Sequence, residues 1–424
     1  MVRTPWGNAA ELRERKLNPR LDRSDAEREE SQRRRLFGAM VAAMAMKGYA
    51  ATTVSDLSEL SGVSRATFYE LFGAKERCFA AMVEEVLGGL GGVLASEYEQ
   101  YGSWEERSRG ALERLAELID AEPAAARACL LEAYAAGPPA RAPLERVVAE
   151  LAGLSIRARG WSGPRYPDAE PVARAAIGGL TAVLYGALAR GEQSAPLVQG
   201  LWEWTSGFAP PPGPLAAKGR RPRRGRSAAL GAHMPAERIL RGLAATVAER
   251  GYGAARIEDV ASAASASKVT FYQHFTGKED AFAAALDSSG AQLVAATLPA
   301  LRRAGDWGQA LRTALEASFG FLAFEPDFAR LRCLEAYAAG PWAVAARDSA
   351  WETILDAVLE LGPDSCPRLS RLEREATIGA IEAIAYERIE AKGPQALPGA
   401  VPLAVYAAAV PFVGAERAYA VATS

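Results

Sequence analysis

Apolar residues return at helical spacing along most of this chain. Leu36, Met40 and Met44 fall four apart, and in the second half Ile239, Leu243 and Val247 repeat the spacing. Each run stops at a Gly-Tyr pair (Gly48-Tyr49, Gly251-Tyr252), where a glycine can end a helix at little steric cost. Two short helical segments are expected at 53–60 and 64–71. A longer one starts near Lys75 and keeps Phe79, Met82, Val83, Val86, Leu87 and Leu90 on one face. Its counterpart starts near Lys278, with Phe282 and Leu286. Glu122-Pro123, Gly137-Pro138, Glu325-Pro326 and Gly340-Pro341 break the later helices. Alternating strand patterns are absent, and the expected fold class is all-α.

The two halves share one register. Thr67-Phe68-Tyr69 returns 203 positions later as Thr270-Phe271-Tyr272, and Leu131 to Pro138 returns letter for letter as Leu334 to Pro341. A constant offset over that distance marks a duplicated domain rather than a short solenoid repeat. The expected organisation is a flexible polar arm at 1–28, a first head at 29–75 and a first helical body at 76–209. A linker at 210–232, a second head at 233–278 and a second body at 279–424 complete it. The linker opens with Pro210-Pro211-Pro212 and continues through 218–226 with no acidic residue. It reads either as a solvated, self-repelling tether or as a basic arm that lies along phosphates.

Composition narrows the chemistry. The 424 residues carry a net charge of −2, so any nucleic-acid surface must be local. Cys78, Cys129, Cys333 and Cys366 lack metal-ligand spacing and read as reduced cytoplasmic thiols. With two histidines and no Cys/His cluster, neither a metal nor a cofactor is expected. No Ser/His/Asp set, phosphate loop or close carboxylate pair marks an enzyme. No secretory h-region opens the chain and no apolar run is read as transmembrane, so a membrane partner is not expected.

Function concentrates at 53–76. Thr53 and Asp56 form a near capping box, Leu57 and Leu60 give an apolar face, and Gly62 stands where a tight turn needs positive φ. Val63 would plug the angle between two helices and Ser64 would cap the second. Phe68 and Phe72 anchor that helix, and Arg65, Thr67 and Tyr69 remain on its polar side. This is a helix-turn-helix, whose second helix enters the major groove of DNA, with Thr53, Ser64, Arg65, Thr67 and Tyr69 as the candidate DNA contacts. With Gly-Tyr, Thr-Thr, Asp-Leu, Gly-Val-Ser, Thr-Phe-Tyr, Phe and Lys-Glu in this order, the segment resembles the DNA-binding head of the tetracycline-repressor (TetR) family. The resemblance covers about 50 residues of each copy. It implies two tandem repeats, each a head followed by a helical ligand-binding and dimerisation body. It also implies an operator-binding switch, a repressor by expectation, that releases double-stranded DNA when a small apolar or amphipathic effector enters the body. Lys75 then reads as a phosphate contact at a helix N-terminus, or as a solvated charge beside Glu76.

The second copy departs from this pattern. Arg256 replaces the capping Thr, Ser265 the turn Gly and Ala266 the Val plug, each change costing about 1 kcal/mol or somewhat more. Its candidate contacts are Ser267, Lys268, Thr270, Tyr272, His274 and Lys278; His274 reads equally as a plain surface residue. The alternative to a DNA-binding regulator is a small-molecule or protein-interaction module whose second head has partly lost DNA binding.

Two further features stay open. Gly88, Gly89, Gly91 and Gly92 interrupt an apolar helix, as a pliable joint or as close packing. Tyr98, Tyr101, Trp104, Tyr134, Trp307, Phe321 and Tyr337 are candidate effector-pocket residues, or simple core. The expected assembly is an intramolecular pseudo-dimer joined through helices near 171–190 and 372–392, with a homodimer of tandem chains as its rival.

Overall fold

The structure is a computed structural model that describes residues 2–15, 24–100, 102–216, 234–361 and 368–424. Cys366, Tyr101 and the basic run 218–226 lie outside them. The described residues are helical apart from one two-residue ladder. They form two compact units, Met1–Leu154 with Leu184–Val198, and Ser155–Val183 with Gln199–Ser424.

In the first unit, β1 (Arg3–Thr4) pairs antiparallel with β2 (Gly7–Asn8), Thr4 opposite Gly7. α1 (Asp25–Ala51) begins with a Ser24–Glu27 capping box and kinks at Gly48, whose φ of 75° only glycine adopts cheaply. α2 (Val54–Ser61), α3 (Arg65–Phe72) and α4 (Lys75–Tyr98) complete the head. α5 (Trp104–Ala121) carries a Ser103–Glu106 capping box. α6 (Pro123–Arg127) runs into a π-helical turn, Ala128–Glu132. α7 (Pro138–Ala158) and α8 (Ala169–Arg190) follow, with residues 155–183 of this stretch belonging to the second unit. The head core gathers Leu36, Phe37, Met40, Leu57, Phe68 and Phe79. Leu12 joins it at 0% exposure, so residues 2–15 are not the flexible arm expected from their polar composition. Leu12, buried Thr4 and the Arg3–Glu122 ion pair (3.0 Å) hold them, and burying a large apolar side chain alone contributes about 1.5–3 kcal/mol.

In the second unit, α9 (Val198–Ser206) precedes the second head: α10 (Pro235–Arg250), α11 (Ile257–Ala263), α12 (Lys268–His274) and α13 (Lys278–Leu301). α14 (Trp307–Phe324), α15 (Pro326–Arg330), a second π-helical turn (Leu331–Glu335) and α16 (Ala336–Ala339) repeat the order seen in the first body. α17 (Pro341–Glu360), α18 (Arg371–Lys392), α19 (Val401–Val413) and α20 (Ala415–Thr423) end the chain. Residues 169–183 pack on α18. A Cβ on Gly178 would overlap that of Ala383, and one on Gly379 would overlap that of Ala182. Arg174 and Glu387 add an ion pair at 2.6 Å. The Tyr406 hydroxyl donates to Ala209 O at 2.9 Å.

Lys75–Tyr98, Ala169–Arg190 and Pro394–Val413 are long and apolar enough to cross a membrane by length and composition, which corrects the expectation that no run reaches that length. In the last two, 61% of the apolar window is buried inside the protein. The composition there serves close helix packing, as the Gly178–Ala383 contact illustrates.

The second body also holds a buried polar network. Arg332 donates to Leu286 O (3.0 Å) and Arg347 O (2.8 Å), and Arg347 pairs with Asp348 (2.7 Å) and Glu382 (3.5 Å). The Trp351 indole donates to Glu382. By the 203-residue register, the first copy has Cys129 and Leu144 at the two arginine positions. Burial pushes the Asp348 carboxyl up to about 6 despite the neighbouring Arg347.

Candidate nucleic-acid interface

The first head is assembled by local chemistry. Thr53 accepts the Asp56 amide at 3.3 Å and Asp56 accepts the Thr53 amide at 2.7 Å, closing the capping box. Lys47, 2.6 Å from Asp56, together with Thr53 holds that carboxyl well below its usual range. Gly62 ends α2 at φ 65°. Val63 is 4% exposed and fills the angle between the helices. Ser64 accepts the Thr67 amide at 3.1 Å and so starts α3. Phe68 and Phe72 turn inward with ring centroids 5.8 Å apart. Arg65 and Tyr69 are thereby left exposed, with Thr67 half-buried. An exposed guanidinium and phenol on a rigidly seated helix can meet base edges and phosphates.

Ser55, which carries no motif signal, proves to touch this face: Arg65 Nη2 donates to Ser55 Oγ at 2.5 Å. Arg35 likewise carries no motif signal. It is 5% exposed and donates to Ser61 O at 2.8 Å, pinning the end of α2.

Lys75 is placed differently from the phosphate contact expected of it. Its ammonium donates to Tyr49 O and Thr52 O, both at 3.0 Å, and lies 4.2 Å from the Tyr49 ring centroid. It neutralises carbonyls at the end of α1, the favoured place for a cation. Burial lowers its pKa. Lys278 repeats the arrangement, 2.7 Å from Tyr252 O and 4.4 Å from the Tyr252 ring centroid. Both lysines therefore position the heads. From the opposite side, Glu132 accepts the Tyr49 amide at 3.2 Å and Glu335 accepts the Tyr252 amide at 2.7 Å. The repeated Leu-Glu-Ala-Tyr string thus holds the repeated Gly-Tyr turn, a link between two motifs that are 83 residues apart in each copy.

The second head keeps the shape with weaker parts. Arg256 makes no side-chain cap at the start of α11. Ser265 sits at φ 50°, alone among the described non-glycine residues in having positive φ. Ser267 caps α12 through the Thr270 amide at 3.0 Å. Lys268, Tyr272 and His274 are exposed and Thr270 is half-buried. Lys268 is paired with Glu258, the counterpart of Ser55, so the acid offsets the cation that leads this helix.

The aromatic candidates do not converge. Among the described residues, an apolar cavity of about 40 Å³ lies between α14, α17, α18 and α19, lined by Trp307, Leu311, Trp351, Ile378 and Phe412 among others. Trp307 lines it, whereas Phe321 and Tyr337 do not. Tyr337 stacks edge-on to Tyr386 at 6.3 Å with Arg347 over its ring at 4.7 Å. Tyr134 packs against the first head core, and Tyr98 and Trp104 are half-buried on α4 and α5. Among the described residues no group of three or more His, Cys, Asp or Glu could hold a metal ion.

Comparison with known proteins agrees with the heads. Residues 39–82 and 239–285 match the N-terminal domain of bacterial regulatory proteins of the tetR family. Over 113 residues, 27% of this chain, it is 36% identical to the HTH-type transcriptional activator FasR of Mycolicibacterium smegmatis. That match spans 52% of the relative, so the chain covers about half the length of the curated relative it matches. Among solved structures it is similar to the transcriptional regulator FadR from Bacillus subtilis in complex with stearoyl-CoA (20% identity, TM-score 0.34, 39% of this chain and 94% of that one). It is also similar to PfmR, a TetR-family transcriptional regulator from Thermus thermophilus (26% identity, TM-score 0.31, 42% and 98%). The head of the tetR family of bacterial regulatory proteins is thus matched once in each half of the chain.

Proposed function

We propose that the chain is a non-enzymatic cytoplasmic repressor that binds an imperfect palindromic operator in double-stranded DNA and is released by a small apolar or amphipathic effector. The observation that carries this reading is α3. A serine-capped helix, seated by Val63, Phe68 and Phe72, presents Arg65 and Tyr69 outward. The second head presents Lys268, Thr270, Tyr272 and His274 from the matching helix. Because the two faces differ, the two half-sites differ. Anisotropy titration of the intact chain with DNA flanking its gene tests the reading. Saturable, salt-sensitive binding with a preference for one site is expected, and equal weak binding to all DNA counts against it. A reporter driven from that promoter reads the sign of regulation.

The same reading includes an intramolecular pseudo-dimer. In the strings Ile177-Gly178…Tyr185 and Ile378-Gly379…Tyr386, which lie 201 rather than 203 positions apart, Gly178 corresponds to Gly379 and Ala182 to Ala383. The contacts Gly178–Ala383 and Gly379–Ala182 are therefore equivalent under exchange of the copies, the signature of a two-fold interface. Half-sites about one helical turn apart would suit two heads joined in this way. A second reading, in which the second head adds little DNA affinity, is favoured by the Glu258–Lys268 pair. Footprinting separates them: protection of two half-sites supports the first, protection of one the second.

A further inference from the structure

The short N-terminal segment extends the surface of the first head. β1, β2 and a short 3-10 turn (Ala9–Glu11, capped by Asn8) form a compact unit. It is docked at two points on α1. The Leu12 side chain lies against Gly38, where a Cβ would come within 2.8 Å of Leu12 Cδ2 and 3.2 Å of Thr4 Oγ1. The Trp6 ring lies 5.3 Å from that of Phe37, and its indole N–H donates to Glu85 on α4 at 2.8 Å. This docking fixes the next residue. The Arg13 side chain crosses the turn of the helix-turn-helix, its Cγ 3.5 Å and Nε 3.6 Å from where a Cβ on Gly62 would stand. Gly62 is two residues before the Ser64 cap of α3, and both Arg13 and Gly62 are exposed.

We propose that Arg13 is a DNA-backbone contact, a phosphate clamp added to the half-site read by the first head alone. The inference rests on the operator-binding reading above. A guanidinium offers a planar fork of donors that matches a phosphate, and the strand flanking a recognition helix presents phosphates to the adjoining turn. The docked segment holds Arg13 in place before DNA arrives, so little ordering is left to oppose the contact. Among the described residues, α10 of the second head offers no such site. Arg241 stands where Gly38 stands in the first copy, pairs with Glu325 at 3.1 Å, and lies 5.5 Å from the Phe328 ring centroid. Arg241 thus puts a side chain at the position where Gly38 has none. The clamp therefore makes the DNA contact lopsided, whatever the base sequence.

The test uses the intact chain and its operator DNA. Arg13→Ala should lower the slope of log affinity against log salt by about one and weaken binding to all sequences alike. Ethylation interference should lose one phosphate beside the first half-site and none beside the second. Gly38→Arg, which copies the second head and displaces Leu12, should reproduce that loss. Thermal unfolding of both variants shows whether the head remains folded, and Arg13→Ala changes only an exposed side chain. An unchanged salt slope and interference pattern for Arg13→Ala, in a chain that binds its operator, overturns this proposal alone. A chain that binds no DNA overturns the operator-binding reading with it.

Discussion

Glu132 accepts the backbone amide of Tyr49, while Lys75 donates to the carbonyl of the same residue. One residue at the end of α1 is thus held on both of its peptide groups, by a residue of the body and by the first residue of α4. Glu335, Tyr252 and Lys278 repeat the arrangement in the second copy. Each π-helical turn ends on that glutamate.

Glu132→Ala should cost about 1–3 kcal/mol, since it leaves a part-buried amide without its acceptor. Faster hydrogen exchange at Tyr49 and a lower unfolding midpoint are the expected results. Unchanged exchange at that amide would show that the contact contributes nothing.

Lys75→Ala is expected to lower stability and leave the salt slope of DNA binding nearly unchanged. The ammonium faces two carbonyls at 3.0 Å. A slope that drops by about one would instead assign it to a phosphate.

Arg65→Ala should relax base preference in the first half-site by about 1–3 kcal/mol if the guanidinium bridges a guanine. Glu258→Ser copies the first head at the matching position and frees Lys268, so it should tighten binding to the second half-site. Competition between operators altered in one half at a time measures both. Equal effects on the two halves would contradict the assignment of separate faces.

Ser265→Gly should stabilise the second head by about 1 kcal/mol, the strain of a side chain held at φ 50°. Denaturant unfolding of the intact chain reads the shift in midpoint. No shift would mean that the surrounding turn relaxes around serine.

Gly178→Leu should separate residues 169–183 from α18, because even a methyl group there overlaps Ala383. Light scattering of the unaltered chain should return a mass near 45.0 kDa. A stable species of twice that mass would favour a homodimer of tandem chains. The variant should expose apolar surface and bind a hydrophobic dye that the unaltered chain excludes.

Much of the head is legible in the sequence because its determinants are local. The capping of α2 by Thr53 and of α3 by Ser64, the left-handed turn at Gly62 and the inward spacing of Phe68 and Phe72 act between residues a few positions apart. The penalty at Ser265 follows from the repeat itself, since the first copy shows glycine at the same place. The N-terminal segment is not legible in this way, because its composition is polar. Its docking uses Leu12 against a glycine on α1 whose missing side chain makes room for it, and Trp6 against Phe37.

The linear order of residues determined the helices, the duplication, the helix-turn-helix and the difference between its two copies. Those follow from periodicity, capping and backbone freedom, which are short-range. Tertiary structure alone decided that Arg65 donates to Ser55 while Lys75 is tied to the end of α1, that Glu132 reaches Tyr49, and that Arg13 crosses Gly62. In each case the outcome depends on which polar groups lie within about 3–4 Å across the fold, and charge and spacing along the chain do not carry that information.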